Sequence, residues 1–445
     1  MAEILDTHRR ALAVNLDLTS YGSFAEIGAG QEVSRWFLQV GGAAGTVAQT
    51  ISAYDMVFSD AIYGKGERYV SRDRVKEMLD HEYPLLLSRL GPVRGAKTRF
   101  FVFADTVSAR NYSGTNECHG WLGLRFQAKP GDAPSDVLLH VNLRDPTNLL
   151  QQQALGIVGV NLIYAAFFKL EKRGRTLATL LDGLGLERLE IDFVELSGPA
   201  FAGADERALG LELARAGLAN AVVFTQRGRL ATPGEFLRKS PIVLERRTSR
   251  AGGPDAGRRL AGAARQLARE LPKLERPPLA LFELPLFSAQ NSRVPSAAAL
   301  QRQCAELNAQ GVPVLVTRYS KAFQLSDFLR RYTREPVILT VRVDTLVEIL
   351  RAGAERELAG GVFEALGKLL NKEVRMFVEP LPAPRLRAAL KRAEIKKQSV
   401  SFPTNGIVHV GDLELAPPLD HLLAYLLGSG WIVPLEQKRG RGSRA

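Results

Sequence analysis

The chain has 445 residues, 46% hydrophobic and 24% charged, with 40 Gly and 23 Pro. That is the make-up of a globular protein, which excludes a disordered, collagen-like or disulfide-stapled chain, and its length predicts two or three domains. A net charge of +12 points to an anionic partner and carries no information about fold.

Glu3 and Asp6 stand near the start, where a secretion signal needs a cationic and then an apolar stretch, so no export is expected. The longest apolar run, 154–168, is broken by Asn161. It falls short of the ~20 residues that cross a bilayer and reads as a buried helix, with no membrane partner. Cys118 and Cys304 lie far apart, which predicts two free thiols in a reducing cytoplasm.

In chain order, Val33, Trp36, Phe37 and Val40 share one helical face. Glycines at 41–45 interrupt it, and 46–62 reads as a further helix. Residues 72–90 form another, followed by a strand at 98–104. The segments 121–128 and 137–143 flank a Pro/Gly/Asp turn and predict an antiparallel hairpin. A long apolar helix over 149–170 would cover that sheet. From about residue 185 the rhythm changes. Strand-like runs at 189–196, 221–225, 242–245, 279–284, 312–319, 337–343 and 374–379 alternate with helical patterns, which predicts parallel βα units. The expected fold class is α/β. An α+β part with antiparallel strands (1–185) precedes a βα-repeat part (186–435), barrel-like or doubly wound, and a basic tail (436–445).

Four segments are candidates for chemistry. In YGSFAEIGAGQ, at 21–31, Gly22, Ser23, Gly28 and Gly30 would let backbone amides approach a phosphate. The segment is not the P-loop GxxxxGK[ST], nor the dinucleotide fingerprint GxGxxG, since Val33 stands at the last glycine position, and a tight turn explains it as well. The second is the polar density of 50–74, where Arg68 is the candidate anion ligand; a solvated corner is the plainer reading. The third runs from Asp105 to His119. Cys118 and His119 point to opposite sides of a strand, so His119 alone is the candidate acid/base. His140 shares a face with Asn142 and Arg144 by the period of two. The fourth is the set of polar residues ending the later strands: Glu195, Glu245, Glu283, Arg318, Arg342, Asp344 and Glu379. Parallel α/β folds place sites at that edge. Glu195, Glu283 and Asp344 are candidate catalytic carboxylates, Arg318 and Arg342 candidate phosphate ligands, and the carboxylates would also suit Mg²⁺. Salt bridges and helix caps account for the same residues.

The first segment also resembles the nucleotidyltransferase family that makes NAD precursors, whose pattern is G-[ST]-F-x-P-x-H-x-G-H. Gly22, Ser23, Phe24 and Gly30 keep step with it, but Gly28 and Gln31 occupy the two histidine positions that stabilise the transferred phosphates. A broader resemblance rests on YGSFAEIGAGQEVSRWF, GGAAGTVAQTISAYDM, SDAIYGKGERYVSR, FADTVSARNYS, HGWLGLRFQ, QQQALGIVGVNLIYAAFF and ELSGPAFAGAD. Together these are similar to a bacterial and cyanobacterial family of chains of comparable length. Its members sometimes carry the labels nicotinate-nucleotide adenylyltransferase or TonB-dependent receptor. The missing histidines speak against the first label, and the lack of a long alternating barrel pattern against the second.

The reading from sequence is a cytoplasmic enzyme acting on a nucleotide or other phosphorylated small molecule. The alternative is a non-catalytic nucleic-acid-binding or assembly protein. Of the excess of twelve positive charges, five lie in 245–276 and three in the last ten residues. The rest of the chain is nearly neutral, which weakens the alternative.

Overall fold

The computed structural model describes residues 5–170, 177–247, 256–287, 294–351, 359–370, 373–393, 395 and 399–436. The Gly-, Ser- and Arg-rich stretch 248–255 and the basic tail after Glu436 lie outside them. The chain divides into two compact units at Val222/Val223, not near residue 185.

The first unit is built on a six-stranded sheet. Its strands are β1 (Ser20–Gly28), β2 (Val47–Ile51), β3 (Arg99–Ser108), β4 (His119–Phe126), β5 (Ser135–Leu143) and β6 (Leu189–Ser197), in the order β2-β1-β3-β4-β5-β6. β1 is parallel to β2 and β3, while β3 to β6 run antiparallel in sequence. Two expectations are corrected here. Residues 46–62 are not one helix: β2 is followed by α3 (Met56–Tyr63), started by the Asp55 side chain accepting from the Phe58 amide. And 189–196 does not open a second part; it is the edge strand of this sheet.

Helix α5 (Asn148–Phe168) packs on one face, where Phe167 meets Phe101 and Phe126 edge-on. It also contacts α1 (Thr7–Asn15) and α2 (Val33–Gln39). A helix apolar all round must be buried all round, and 13 of its 21 residues are. It is long and apolar enough to cross a membrane, yet 72% of its apolar window is buried inside the unit, so it serves as a core helix. Asn161, the break in its apolar run, is fully used: its amide donates to the Leu180 and Asp182 carbonyls and its oxygen receives Arg10 Nη1 at 2.7 Å. Helix α4 (Arg72–Arg94) covers the other face, with Val75 and Leu79 filling the space over Gly123.

The second unit carries an eight-stranded sheet. Its strands are β7 (Ala221–Phe224), β8 (Leu230–Ala231), β9 (Ile242–Arg246), β10 (Leu279–Pro285), β11 (Val314–Thr317), β12 (Val337–Arg342), β13 (Val374–Glu379) and β18 (Ile432–Pro434). Two ribbons, β14 (Leu381–Pro382) with β16 (Ile407–Val408) and β15 (Val400–Ser401) with β17 (Glu414–Leu415), stand apart. The order β18-β13-β12-β9-β10-β11-β7-β8 is an open row with two edges, so the barrel alternative is set aside. β9 to β13, with β18, are parallel, and β7 and β8 form an antiparallel pair. From β9 the chain builds outward through β10 and β11, then returns to β12 on the opposite side. The order therefore reverses between β9 and β12.

Candidate functional site

The strongest arrangement lies at one edge of the first sheet, where β3 and β5 end and β4 and β6 begin. Trp121 on β4 stands opposite His140 on β5, and His119 opposite Asn142. The shared face of His140 and Asn142 is thus as expected from the strand period, and His119 joins it. His119 Nδ1 lies 3.0 Å from His140 Nε2, and His140 Nδ1 lies 2.6 Å from Asp192 Oδ1 on β6. The Asn142 amide donates to the other Asp192 oxygen at 2.7 Å. A register shift in the β5–β6 ladder beside His140 brings Asp192 into line with the imidazole. His140 and Asp192 are buried and His119 is half-buried. The Trp121 ring packs on His140 and edge-on against Phe193, which fixes the imidazole plane. Arg144, expected to join this face, pairs instead with Glu190.

The polar segment 50–74 belongs to the same place. Thr106, opposite Trp121 on β3, donates its hydroxyl to the Tyr69 carbonyl at 2.7 Å. That contact draws the 64–71 loop over the sheet edge. Arg74, fully buried, organises the loop: it reaches Asp60 and Glu77, and the Tyr69 ring packs on its guanidinium. Arg68 is left exposed on this loop, and Arg110 is exposed on the β3–β4 connection beyond Ser108. Glu195, by contrast, has both oxygens engaged by Arg72 (3.0 Å) and Lys76 (2.8 Å). It fastens α4 to β6.

On the opposite face of the same edge two acids are buried side by side. Glu26 and Asp105 are register partners on β1 and β3. Glu26 accepts the Val33 and Ser34 amides at the start of α2, at 2.9 and 3.2 Å. Burial pushes its pKa up to about 7 despite those hydrogen bonds. Asp105 is completely buried, and neither of its oxygens makes a hydrogen bond of good geometry. Burial raises it well above the usual carboxylate range, the Glu26 charge adds to this, and the Ile27 amide opposes it only in part. Gly30 rests directly on this carboxyl: a Cβ there would come within 1.8 Å of Asp105 Oδ1. The glycines expected to cradle a phosphate therefore have other work. Gly22 and Ser23 lie inside β1, where a Cβ on Gly22 would strike the Phe101 carbonyl at 2.4 Å. Gly28 makes a left-handed turn (φ 75°) against Val107, and Gly30 admits the close approach to Asp105. Glu26 was hidden in the sequence among these glycines, and Asp192 in a strand that read as part of another sheet.

In the second unit, the strand-end residues gather where the order reverses. Glu283 is buried, with both oxygens occupied: Arg246 binds it in a fork at 2.6 and 2.8 Å and Thr317 donates at 2.6 Å. Arg246 also holds the Tyr319 and Ser320 carbonyls. Around it, Arg247 pairs with Glu245, Arg259 with Glu379, and Arg342 with Asp344. Burial raises the Glu379 carboxyl, with Arg259 opposing. Arg318 packs on the Phe287 ring, and burial lowers its pKa. Glu195, expected in this set, lies on β6 of the first sheet; most of the others engage one another in mutually neutralising pairs. The same pairing, with Arg269 on Glu436, absorbs much of the basic excess of 245–276. Among the described residues no three His, Cys, Asp or Glu side chains are placed to hold a metal ion, so no carboxylate set for Mg²⁺ is found there.

No family model and no curated protein matches the chain. Among solved structures it is similar to a competence/damage-inducible protein CihA of Agrobacterium tumefaciens, with 17% identity and a TM-score of 0.26 over 37% of this chain and 99% of that one. It is similar to a CinA superfamily protein of Klebsiella pneumoniae, with 12% identity and a TM-score of 0.28 over 36% and 96%. A competence or damage-inducible protein of Enterobacter asburiae gives 14% identity and a TM-score of 0.27 over 36% and 98%. At such scores these likenesses carry neither fold nor activity across to this chain.

Proposed function

We propose that the protein is a cytoplasmic enzyme that moves a proton at His119 while acting on a nucleotide or other phosphorylated small molecule. The unbroken chain Asp192–His140–His119 supports this reading. With the Asp192 carboxylate accepting the His140 Nδ1 proton, His140 Nε2 must be the acceptor toward His119. His119 then donates from Nδ1, and its Nε2 carries the lone pair. These tautomers follow from the hydrogen-bond network. His119 Nε2 takes the proton of an attacking water or hydroxyl as the new bond to the substrate forms. The imidazolium is stabilised through His140 by Asp192, and it returns the proton to the leaving group. Such positioned acid–base work contributes roughly 10²–10⁴-fold. The exposed Arg68 and Arg110, on loops at the same edge, suit the phosphate.

Thermal shift with nucleoside phosphates, NAD precursors and sugar phosphates tests the binding half. A ligand at 100 times its Kd stabilises by about 2.7 kcal/mol, and Arg68→Ala should shrink that gain. With the ligand so found, His119→Ala and Asp192→Asn should retain binding and lose turnover by at least about 10². No shift from any compound, or full turnover in His119→Ala, overturns the reading.

A further inference from the structure

We infer that the helix Ala383–Arg392 of the second unit binds the phosphate backbone of a DNA duplex. Charge is divided unevenly along the chain. Residues 1–222 hold 23 basic and 26 acidic side chains, whereas residues 223–445 hold 36 and 21. The tract 381–397 alone has six basic residues and one acid, an excess that the acidic first unit offsets in the total. The helix within it buries Ala383, Leu386, Ala389 and Leu390. It leaves Pro384, Arg385, Arg387, Ala388, Lys391 and Arg392 exposed. At 3.6 residues per turn, Arg385 and Arg392 line one flank of the exposed face and Arg387 and Lys391 the other, with Pro384 and Ala388 between them. Among the described residues none of the four cations forms an ion pair. Arg387 and Arg392 donate to the Thr404 and Ala388 carbonyls, which carry no charge. The acids on neighbouring elements are engaged elsewhere. Glu379 pairs with Arg259, Glu348 faces the Arg342 charge, Asp412 accepts the His409 amide, and Glu414 accepts the Ser401 hydroxyl.

The make-up of this face selects among anions. A helix that lies on a membrane inserts its apolar side chains, and here those are packed into the core. A protein partner is held by large buried anchors such as Trp, Tyr or Arg seated in pockets, and a single nucleic-acid strand by aromatic rings that stack on its bases. The exposed face carries no aromatic ring and no large apolar side chain. Its three arginines suit phosphate, whose oxygens match the forked guanidinium group. Cations on both flanks of a helix about 10 Å across meet the two rows of phosphates that border a B-form major groove about 12 Å wide. The major groove of an RNA duplex is too narrow to admit the helix. Pro384 and Ala388 allow close approach at the centre and offer no polar group to read a base, so the binding is independent of sequence. It lies in a different unit from His119 and does not depend on the chemistry proposed there.

Fluorescence anisotropy of the full chain with a labelled DNA duplex tests this, in salt from about 50 to 200 mM. The expected Kd near physiological salt is roughly 10⁻⁶ to 10⁻⁴ M, and each phosphate contact adds about 0.9 to the slope of log K against log salt. Arg385→Gln with Lys391→Gln removes one cation from each flank. It should lower that slope by about 1.8 and weaken binding at least ten-fold at about 0.1 M salt, with the far-ultraviolet spectrum and thermal midpoint unchanged. Arg227→Gln with Arg302→Gln removes the same charge from exposed positions toward the β7–β8 end of the sheet and should leave the slope as it is. Equal losses in the two variants would mean that net charge alone attracts the duplex, and would overturn the proposal. So would a wild-type chain that does not bind the duplex, a single strand of equal length that competes better than the duplex, or tighter binding to vesicles containing phosphatidylserine.

Discussion

The buried pair Glu26 and Asp105 makes stability depend on pH in a direction opposite to that of ordinary carboxylates. An Asp that stays protonated in the folded chain but ionises above 3.8 when unfolded leaves the folded state holding more protons. Stability then falls by about 1.4 kcal/mol per pH unit above that value. Glu26 adds the same slope between 4.5 and about 7, a total loss of about 3 kcal/mol that levels off above pH 7. Asp105→Asn is neutral in both states and nearly isosteric, so it removes one of the two slopes. Urea unfolding in a Trp431→Phe background, reporting Trp36 and Trp121, should therefore show wild-type stability falling twice as steeply as that of Asp105→Asn from pH 5 to 6. The variant should match the wild type within about 1 kcal/mol near pH 4, since one orphan polar group replaces another. Its advantage should grow as the pH is raised further. Parallel pH profiles for the two proteins would refute the reasoning, because they would mean that Asp105 ionises in the folded chain as it does in water.

Other substitutions follow from the same geometry. Gly30→Ala drives a methyl group into Asp105 and should cost about 1–3 kcal/mol. Adding Asp105→Ala should recover most of that loss, which a double-mutant unfolding cycle reads directly. Glu283→Gln should destabilise the second unit by about 3–5 kcal/mol, because Arg246 keeps its charge and loses its fork; Trp431 fluorescence during unfolding measures it. Leu155→Ala, at a fully buried position of α5, should cost about 2–5 kcal/mol, measured by urea unfolding read from Trp36 and Trp121 in the Trp431→Phe background.

Much of this was legible in the residues, for definite reasons. α4 and α5 announce themselves because long helices repeat their pattern often enough to be seen. The hairpin of β4 and β5 is local, with its turn between its strands, so its pairing could be read together with its elements. β6 was visible as a strand, but nothing within a strand says which sheet it enters. Its partner β5 lies some forty residues back, beyond a long helix. The segment 46–62 misled because Val47, Ile51, Tyr54 and Phe58 are spaced as a helix face would be. They are in fact an edge strand and an exposed helix start. His119 and His140 were singled out separately. Only the antiparallel register of β4 and β5 places them 3.0 Å apart.

The contrast between two fully buried acids bears on the proton path proposed at His119. Glu283 ends a central strand, as a catalytic carboxylate of a parallel sheet would, yet every oxygen is matched by the Arg246 fork and Thr317. That pairing holds Arg246 in place, and with it the Tyr319 and Ser320 carbonyls. Asp192 is equally buried, but it passes its influence through His140 to an imidazole that is only half-buried. Burial of an acid is therefore no sign of catalysis by itself. What separates the two is whether the hydrogen-bond chain closes on itself or leads out to the sheet edge, and only the chain from Asp192 leads out.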